Sequence, residues 1–116
     1  MRLLFTAQKP GWDAQIDPRF GRAAYLVLYD ETTGDLESID NTEAKEVEHG
    51  AGTTTAQKVY DLKPDVLVTG NGPGNTAATI LKRLPMKIYV GAENQTLREA
   101  YQLYKDNKLE LSDCHE

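Results

Sequence analysis

The chain has 116 residues, of which 40% are hydrophobic and 27% charged, the proportions of a soluble globular protein. This length suits one domain with one core, so we expect a single domain over residues 1–116. Thirteen Lys and Arg residues against eighteen Asp and Glu give a net charge of −5, which disfavours nucleic acid as a partner. No signal peptide pattern follows Met1, and no apolar run approaches the roughly 20 residues that span a bilayer. We therefore expect a cytoplasmic protein without a membrane partner.

The first three elements in chain order are predicted strands. Residues 3–5 form a short apolar strand, and a polar loop with Gly and Pro follows over residues 8–22. A run of β-formers occupies residues 25–29, and Thr33-Gly34-Asp35 is a turn signal before a weaker strand at 36–39. The expected arrangement is an antiparallel meander.

Helices and strands alternate in the second half of the chain, after an acidic loop. Thr53 or Thr54 is expected to cap a helix that ends near Leu62. Residues 66–68 form a buried strand, and a glycine-rich turn then leads into a second helix. Pro73 suits the first position of this helix and Pro85 stops it.

A further strand at residues 87–90 precedes a last helix, which Thr96 is expected to cap. The element order is therefore βββαβαβα, an α/β class. Right-handed crossovers then give a five-stranded mixed sheet in the order 3-2-1-4-5, a ribonuclease H-like arrangement with three helices. The first two helices are expected on one face and the third on the other.

This topology predicts where a ligand binds. The loops that follow strands 1, 3, 4 and 5 all open at one edge of the sheet, where open α/β sheets usually bind ligands. The last helix descends toward the opposite edge. We therefore expect residues 108–116 to form a mobile tail.

Three segments lie at the predicted edge, and their sequences are Asp17-Pro18-Arg19-Phe20-Gly21-Arg22-Ala23, His49-Gly50-Ala51-Gly52 and Gly70-Asn71-Gly72-Pro73-Gly74-Asn75. In this order, separated by strands and helices, they resemble the dinitrogenase iron-molybdenum cofactor biosynthesis family. The resemblance extends over nearly the whole chain. It implies a small domain that binds or carries a metal-sulfide cluster. Some family members look like carriers of the iron-molybdenum cofactor or its precursors, and the orange protein branch holds a molybdenum-copper sulfide cluster.

Such clusters are anionic, whereas this chain is acidic. Backbone N–H groups at helix N-termini and glycine-rich turns attract anions without a charged side chain, and arginine side chains add positive charge. The predicted cluster-binding residues are therefore Arg19, Arg22, His49, Gly50, Gly52, Thr53, Gly72, Gly74 and Asn75. Simpler structural roles stay open at this point. One of the arginines can pair with Asp17 or Asp30, and the second glycine-rich segment can be a tight turn before a capped helix.

Two residues are candidate metal ligands. His49 stands beside glycines, and a neutral imidazole suits transition metals, although this side chain can equally hydrogen-bond a loop carbonyl. Cys114, the single cysteine, excludes an internal disulfide and a cluster held by four thiolates of one chain. Cys114 is the disfavoured ligand, because the predicted tail lies away from His49.

Three functions compete on this sequence. The favoured one is non-enzymatic binding or carriage of an anionic molybdenum-containing sulfide cluster, either Fe-Mo-S or Mo-Cu-S. The alternative is an interaction or regulatory module for a cluster-assembly protein or an ATPase. A nuclease-like phosphotransferase is disfavoured, because that chemistry needs several carboxylates around two metals and the first strand contains no acid.

Overall fold

The computed structural model describes residues 1–42 and 51–112, and residues 51, 52, 75 and 76 by their backbone alone. The strands within this part of the chain are β1 (Arg2–Ala7), β2 (Tyr25–Asp30), β3 (Leu36–Asp40), β4 (Val66–Val68), β5 (Lys87–Val90) and β6 (Glu110–Leu111). The helices are α1 (Ala51–Leu62), α2 (Asn75–Leu81) and α3 (Leu97–Lys105).

The strands form one mixed sheet in the order β3-β2-β1-β4-β5-β6. β2 is antiparallel to β1 and β3, whereas β4 is parallel to β1 and β5 is parallel to β4. The predicted order of the first five strands is confirmed. Since β1, β4 and β5 point the same way, the loops that follow them leave the sheet at the same edge.

The predicted number of five strands is wrong, because β6 adds a sixth at the edge beside β5. The backbone N–H of Ser112 donates to the carbonyl of Ile88 at 2.7 Å, so this short segment supplies partners for backbone groups of β5. A strand of two residues has no alternation that sequence analysis can detect. Within the predicted tail, Leu109 packs against a hydrophobic layer and residues 110–112 bond to β5, and residues 113–116 lie outside the described residues.

The two faces of the sheet carry separate hydrophobic layers, and the predicted placement of the helices is confirmed. On one face, α1 and α2 cover buried residues of the sheet, and this layer includes Leu4, Leu26, Val59, Leu67, Leu81 and Ile88. On the other face, α3 covers a layer that includes Leu3, Phe5, Val27, Val66, Leu97 and Ala100. Each strand alternates its side chains between the layers, which is why β1 is almost entirely buried.

The helix ends differ from the prediction in three places. The described part of α1 already begins at Ala51, so Thr53 and Thr54 lie inside the helix and do not cap it. Gly74 is the N-cap of α2, one residue after Pro73, and the helix ends at Leu81 without reaching Pro85. After Leu81 the Arg83 and Leu84 N–H groups donate to the Ile80 and Leu81 carbonyls in the 3₁₀ pattern, so the α-helix does not continue.

The N-terminus of α3 agrees with the prediction. The Thr96 hydroxyl accepts a hydrogen bond from the Glu99 N–H, and the Glu99 carboxylate accepts one from the Thr96 N–H. This reciprocal capping box satisfies two N–H groups that the helix itself leaves without partners.

The long loop between β1 and β2 is anchored on the α3 face by Trp12. The indole ring centroid lies 4.9 Å from that of Tyr29, 5.6 Å from that of Tyr101 and 6.2 Å from that of Phe5. These are edge-on and tilted contacts of the kind that stabilise aromatic clusters. None of the helices in the described segments is both long and apolar enough to cross a membrane.

Candidate functional site

The loop after β1 is fastened to the ends of two parallel strands through Asp17. Its backbone N–H donates to the Thr6 carbonyl at 2.8 Å, and the Thr6 hydroxyl donates to the Asp17 carbonyl at 2.9 Å. The Thr6 and Thr69 hydroxyls are themselves 2.8 Å apart. All three residues are buried, so these bonds are shielded from water and fix the loop against β1 and β4.

The same loop contacts the turn after β4. The Asn71 N–H donates to the Pro18 carbonyl at 2.9 Å. A Cβ atom on Gly70 would lie 2.6 Å from Pro18 Cα and 3.2 Å from the Cβ of Glu93, which belongs to the loop after β5. The Gly91 N–H completes the contact by donating to the Gly70 carbonyl at 2.9 Å. The loops after β1, β4 and β5 therefore meet at one edge, as predicted.

Helix α1 approaches this edge through Thr55. Its hydroxyl donates to the Gly21 carbonyl at 2.8 Å and lies 3.0 Å from the Asn41 Nδ2, which also donates to the Ala23 carbonyl at 2.9 Å. The Thr55 hydroxyl gives its proton to Gly21, so it must accept from Asn41. The segment that contains Arg22 is thus tied to both the end of β3 and the first turns of α1.

Arg19 projects from this loop, and its side chain is 55% exposed. Its Nε lies 3.3 Å from Asp17 Oδ1 and its Nη2 lies 3.4 Å from Asp17 Oδ2. The Arg19 backbone N–H also donates to Asp17 Oδ1, at 3.0 Å. The pairing with Asp17 that the sequence left open is therefore present. It leaves the Nη1 amino group outside the ion pair.

The other predicted residues of this half of the site lie nearby. Arg22 is partly buried, next to Gly21, whose carbonyl accepts from Thr55. Thr53 is exposed near the start of α1, and Gly52 precedes it in the helix backbone. Because Thr55 joins α1 to the loop, Thr53 and Arg22 belong to the same region of the edge.

The turn between β4 and α2 holds the remaining predicted residues. A Cβ atom on Gly72 would lie 3.5 Å from the Ser112 Oγ and 3.5 Å from Val90, so this glycine packs against the two outer strands. A Cβ atom on Gly74 would have no neighbour within 4 Å. Gly74 caps α2 without a side-chain hydrogen bond, and Asn75 is the first helical residue. Open space therefore adjoins the start of α2.

Three predicted residues, His49, Gly50 and Cys114, lie outside the described residues. Within residues 1–42 and 51–112, no group of three or more His, Cys, Asp and Glu side chains is arranged to hold a metal ion. Asp40 lies at the end of β3, where hydrogen bonds from the Thr42 hydroxyl and then the Thr42 N–H hold the pKa of this carboxyl below its usual value.

Sequence analysis missed the buried polar residues that support the edge. The described residues that are polar and buried are Thr6, Asp17, Asn41, Thr55 and Thr69, and each of them bonds to this group of loops or to another member. The spacing in Asp17-Pro18-Arg19 carried a signal for one of them, because an Asp side chain often accepts the N–H two residues later. The threonines carried no such signal.

Comparison with known proteins identifies the family. The model of the family described as dinitrogenase iron-molybdenum cofactor matches residues 1–107. The chain belongs to this family. The match extends from β1 to the end of α3 and includes each of the loops at the edge. No curated protein matches the chain.

Two solved structures of similar proteins share its fold. The apo form of the orange protein from Desulfovibrio gigas superimposes with a TM-score of 0.88 at 36% identity, over 97% of this chain and 92% of that protein. A putative NifB protein from Thermotoga superimposes with a TM-score of 0.80 at 27% identity, over 95% and 91% of the two chains. The fold of this chain is thus shared with both proteins at modest sequence identity.

Proposed function

We propose that this protein binds and carries an anionic, molybdenum-containing metal-sulfide cluster at the edge formed by the loops after β1, β4 and β5. The cluster is cargo, either Fe-Mo-S or Mo-Cu-S, and the protein acts without catalysis. The name of the family and the likeness to the orange protein support this proposal.

One observation carries the proposal, namely that Gly70 and Asn71 pack directly on Pro18. Arg19 follows Pro18 directly in the chain, and the turn that contains Gly72 and Gly74 follows Asn71, so we expect both to lie beside this contact. A bulky group can approach glycines closely, because they have no side chain to exclude it. A Cβ atom on Gly74 would meet no atom within 4 Å, so a ligand can approach this glycine.

The chemistry of the edge fits an anion of low charge density. Backbone N–H groups at the start of α2, and those expected from the sequence at the start of α1, carry partial positive charge, and Arg19 adds an exposed guanidinium. His49 and Gly50 belong to the proposed site on the basis of the sequence, with His49 as the candidate side-chain ligand. We expect shape and N–H donors to hold the cluster, together with the guanidinium groups of Arg19 and Arg22.

The test is a titration of purified protein with tetrathiomolybdate and copper(I), followed by gel filtration, absorption spectroscopy and metal analysis. We expect molybdenum and copper to remain with the protein at a fixed ratio and to give charge-transfer bands. A parallel titration with an extracted iron-molybdenum cofactor distinguishes the two kinds of cargo. Protein that emerges free of metal from both titrations would contradict the proposal.

Matched arginine variants locate the site. Arg19 and Arg98 are both exposed, and each pairs with an aspartate of the β1–β2 loop, Asp17 and Asp13 respectively. Arg98, however, belongs to α3, outside the proposed site. We expect Arg19→Ala to weaken cluster binding by about tenfold, the order of one lost charge-assisted hydrogen bond, whereas Arg98→Ala leaves it unchanged. Equal losses in the two variants would place the cluster elsewhere. His49→Ala tests the proposed side-chain ligand in the same assay.

A further inference from the structure

Asp17 is the one charged residue among the fully buried residues that the structure describes. Its side chain is only 2% exposed, whereas the side chain of its partner Arg19 is 55% exposed. A carboxylate beside a site for anions repels the ligand, and a buried carboxylate is costly unless donors compensate it. A buried carboxylate next to a proposed anion site is therefore unexpected unless it has a role in that site.

The geometry of the pair supplies one. The Asp17 carboxylate accepts hydrogen bonds from Nε and Nη2 of Arg19, and these two nitrogens form one side of the guanidinium. That side is a fork of two parallel donors and is a good match for an oxyanion such as phosphate or molybdate. In the folded protein the carboxylate of Asp17 itself occupies the fork.

We propose that Asp17 is the residue that makes this site select thioanions over oxyanions, by occupying the Nε and Nη2 fork of Arg19 and neutralising its charge. The proposal rests on the function proposed above and deepens it. Asp17 acts through Arg19, so it is a positioning residue and does not touch the cargo.

The selectivity follows from the way in which the two kinds of anion bind. Molybdate and tetrathiomolybdate have the same charge and shape and differ only in oxygen or sulfur. The smaller oxyanion is the more strongly hydrated, so it needs strong charge-assisted hydrogen bonds to leave water. The thioanion is larger and accepts hydrogen bonds weakly, so it loses less binding free energy when Asp17 occupies the Nε and Nη2 donors. An Arg19 whose charge is neutralised by Asp17, next to backbone N–H groups, thus binds the thioanion in preference to the oxyanion.

Asp17→Asn tests this role with little disturbance of the fold. The amide oxygen can still accept the Arg19 N–H, and the loop stays fastened through the backbone of Asp17 and the hydroxyl of Thr6. The substitution removes the negative charge and one of the two acceptors of the fork. Asp13→Asn is the matched control, because Asp13 lies in the same loop, is 94% exposed and pairs with Arg98 at 3.5 Å.

The experiment measures binding of tetrathiomolybdate and of molybdate separately, by isothermal titration calorimetry, for the wild type and both variants. We expect the wild type to prefer tetrathiomolybdate, and Asp17→Asn to reduce the preference by about fivefold or more, mainly because molybdate binds better once the negative charge is gone and one Arg19 donor is free. Asp13→Asn is expected to keep the wild-type preference. Asp17→Ser, whose hydroxyl can also accept the Arg19 N–H, is the second variant if Asp17→Asn does not fold.

The outcomes separate the two proposals. A wild type that takes up tetrathiomolybdate with copper(I) but binds molybdate equally well overturns the role of Asp17 and leaves the proposed function intact. An unchanged preference in a folded Asp17 variant, or the same change in Asp13→Asn, has the same consequence. A wild type that binds no thiomolybdate in any form overturns both.

Discussion

The Cα atom of Pro18 lies 2.6 Å from the position that a Cβ atom would occupy on Gly70. Real Cβ atoms do not approach backbone atoms so closely, so the two loops can meet only because residue 70 has no side chain. The bond from the Asn71 N–H to the Pro18 carbonyl depends on the same approach. The loops after β1 and β4 therefore meet through one close backbone contact.

Gly70→Ala is expected to destabilise the protein by about 1–3 kcal/mol, because the added methyl group overpacks a rigid contact. Gly74→Ala is the control, since its Cβ atom would meet nothing within 4 Å, and we expect it to cost less than about 1 kcal/mol. Urea denaturation monitored by circular dichroism measures both. Equal stabilities of the two variants would mean that the β1–β2 loop moves away from Gly70 without cost.

Thr55→Val is expected to lower the free energy of unfolding by about 1–3 kcal/mol, because the Gly21 carbonyl and the Asn41 Nδ2 both lose a buried partner. Thr55→Ser keeps the hydroxyl and should restore most of the loss. Thr53→Val changes an exposed threonine of the same helix and should stay within about 0.5 kcal/mol of the wild type. Equilibrium denaturation of the three variants measures these changes in the free energy of unfolding. A full loss in Thr55→Ser would assign the effect to packing and not to hydrogen bonds.

Thr96→Ala is expected to destabilise the protein by about 1 kcal/mol, because α3 loses the hydroxyl of its capping box. Thr96→Ser retains an acceptor for the Glu99 N–H and should stay near the wild type. A shift in the thermal midpoint, measured by calorimetry, reports both changes. A neutral Thr96→Ala variant would show that packing of Leu97 and Ala100 alone maintains the helix end.

Tyr101 predicts how stability depends on alkaline pH. Desolvation, and next the hydrogen bond that its hydroxyl donates to Glu31 at 2.5 Å, raise the pKa of Tyr101 above its ordinary value of 10.0. The unfolded chain ionises this phenol at lower pH than the folded chain does. The contribution of Tyr101 to stability is therefore complete below pH 10 and is lost as the pH rises above it.

Tyr101→Phe is accordingly expected to lessen the loss of stability above pH 10, measured as urea midpoints from pH 8 to pH 11. Tyr60→Phe removes a tyrosine on the opposite side of the sheet, packed against the other core layer, and is the control. If the slopes of the wild type and Tyr101→Phe coincide, the raised pKa of Tyr101 does not contribute to folding.

Local sequence patterns predicted the main elements well where a few neighbouring residues decide the structure. β4 and β5 have the predicted bounds, and Thr96 caps α3 as expected. The strand order followed from the handedness of the crossovers, a rule that depends only on element order. The end of α2 was mispredicted, because Pro85 forbids helix beyond it but does not require helix up to it.

The candidate site was predicted less completely, because its supporting contacts join residues that are distant in the chain. The Thr6 and Thr69 hydroxyls meet across 63 residues, and nothing in either neighbourhood marks them. The pairing of Asp17 with Arg19 is local and was foreseen as an alternative. The burial of Asp17 was not foreseen, since burial depends on contacts between segments that are distant in the chain.

The amino-acid sequence alone determined the family, the order of the first five strands and the edge at which the loops gather, since periodicity, turn residues and crossover handedness are properties of short segments and their order. The tertiary structure decided that Gly70 must be a glycine, that β6 extends the sheet, and that a buried carboxylate occupies one side of Arg19. These features depend on distances between loops, and such distances arise only when the whole sheet and its two hydrophobic layers are assembled.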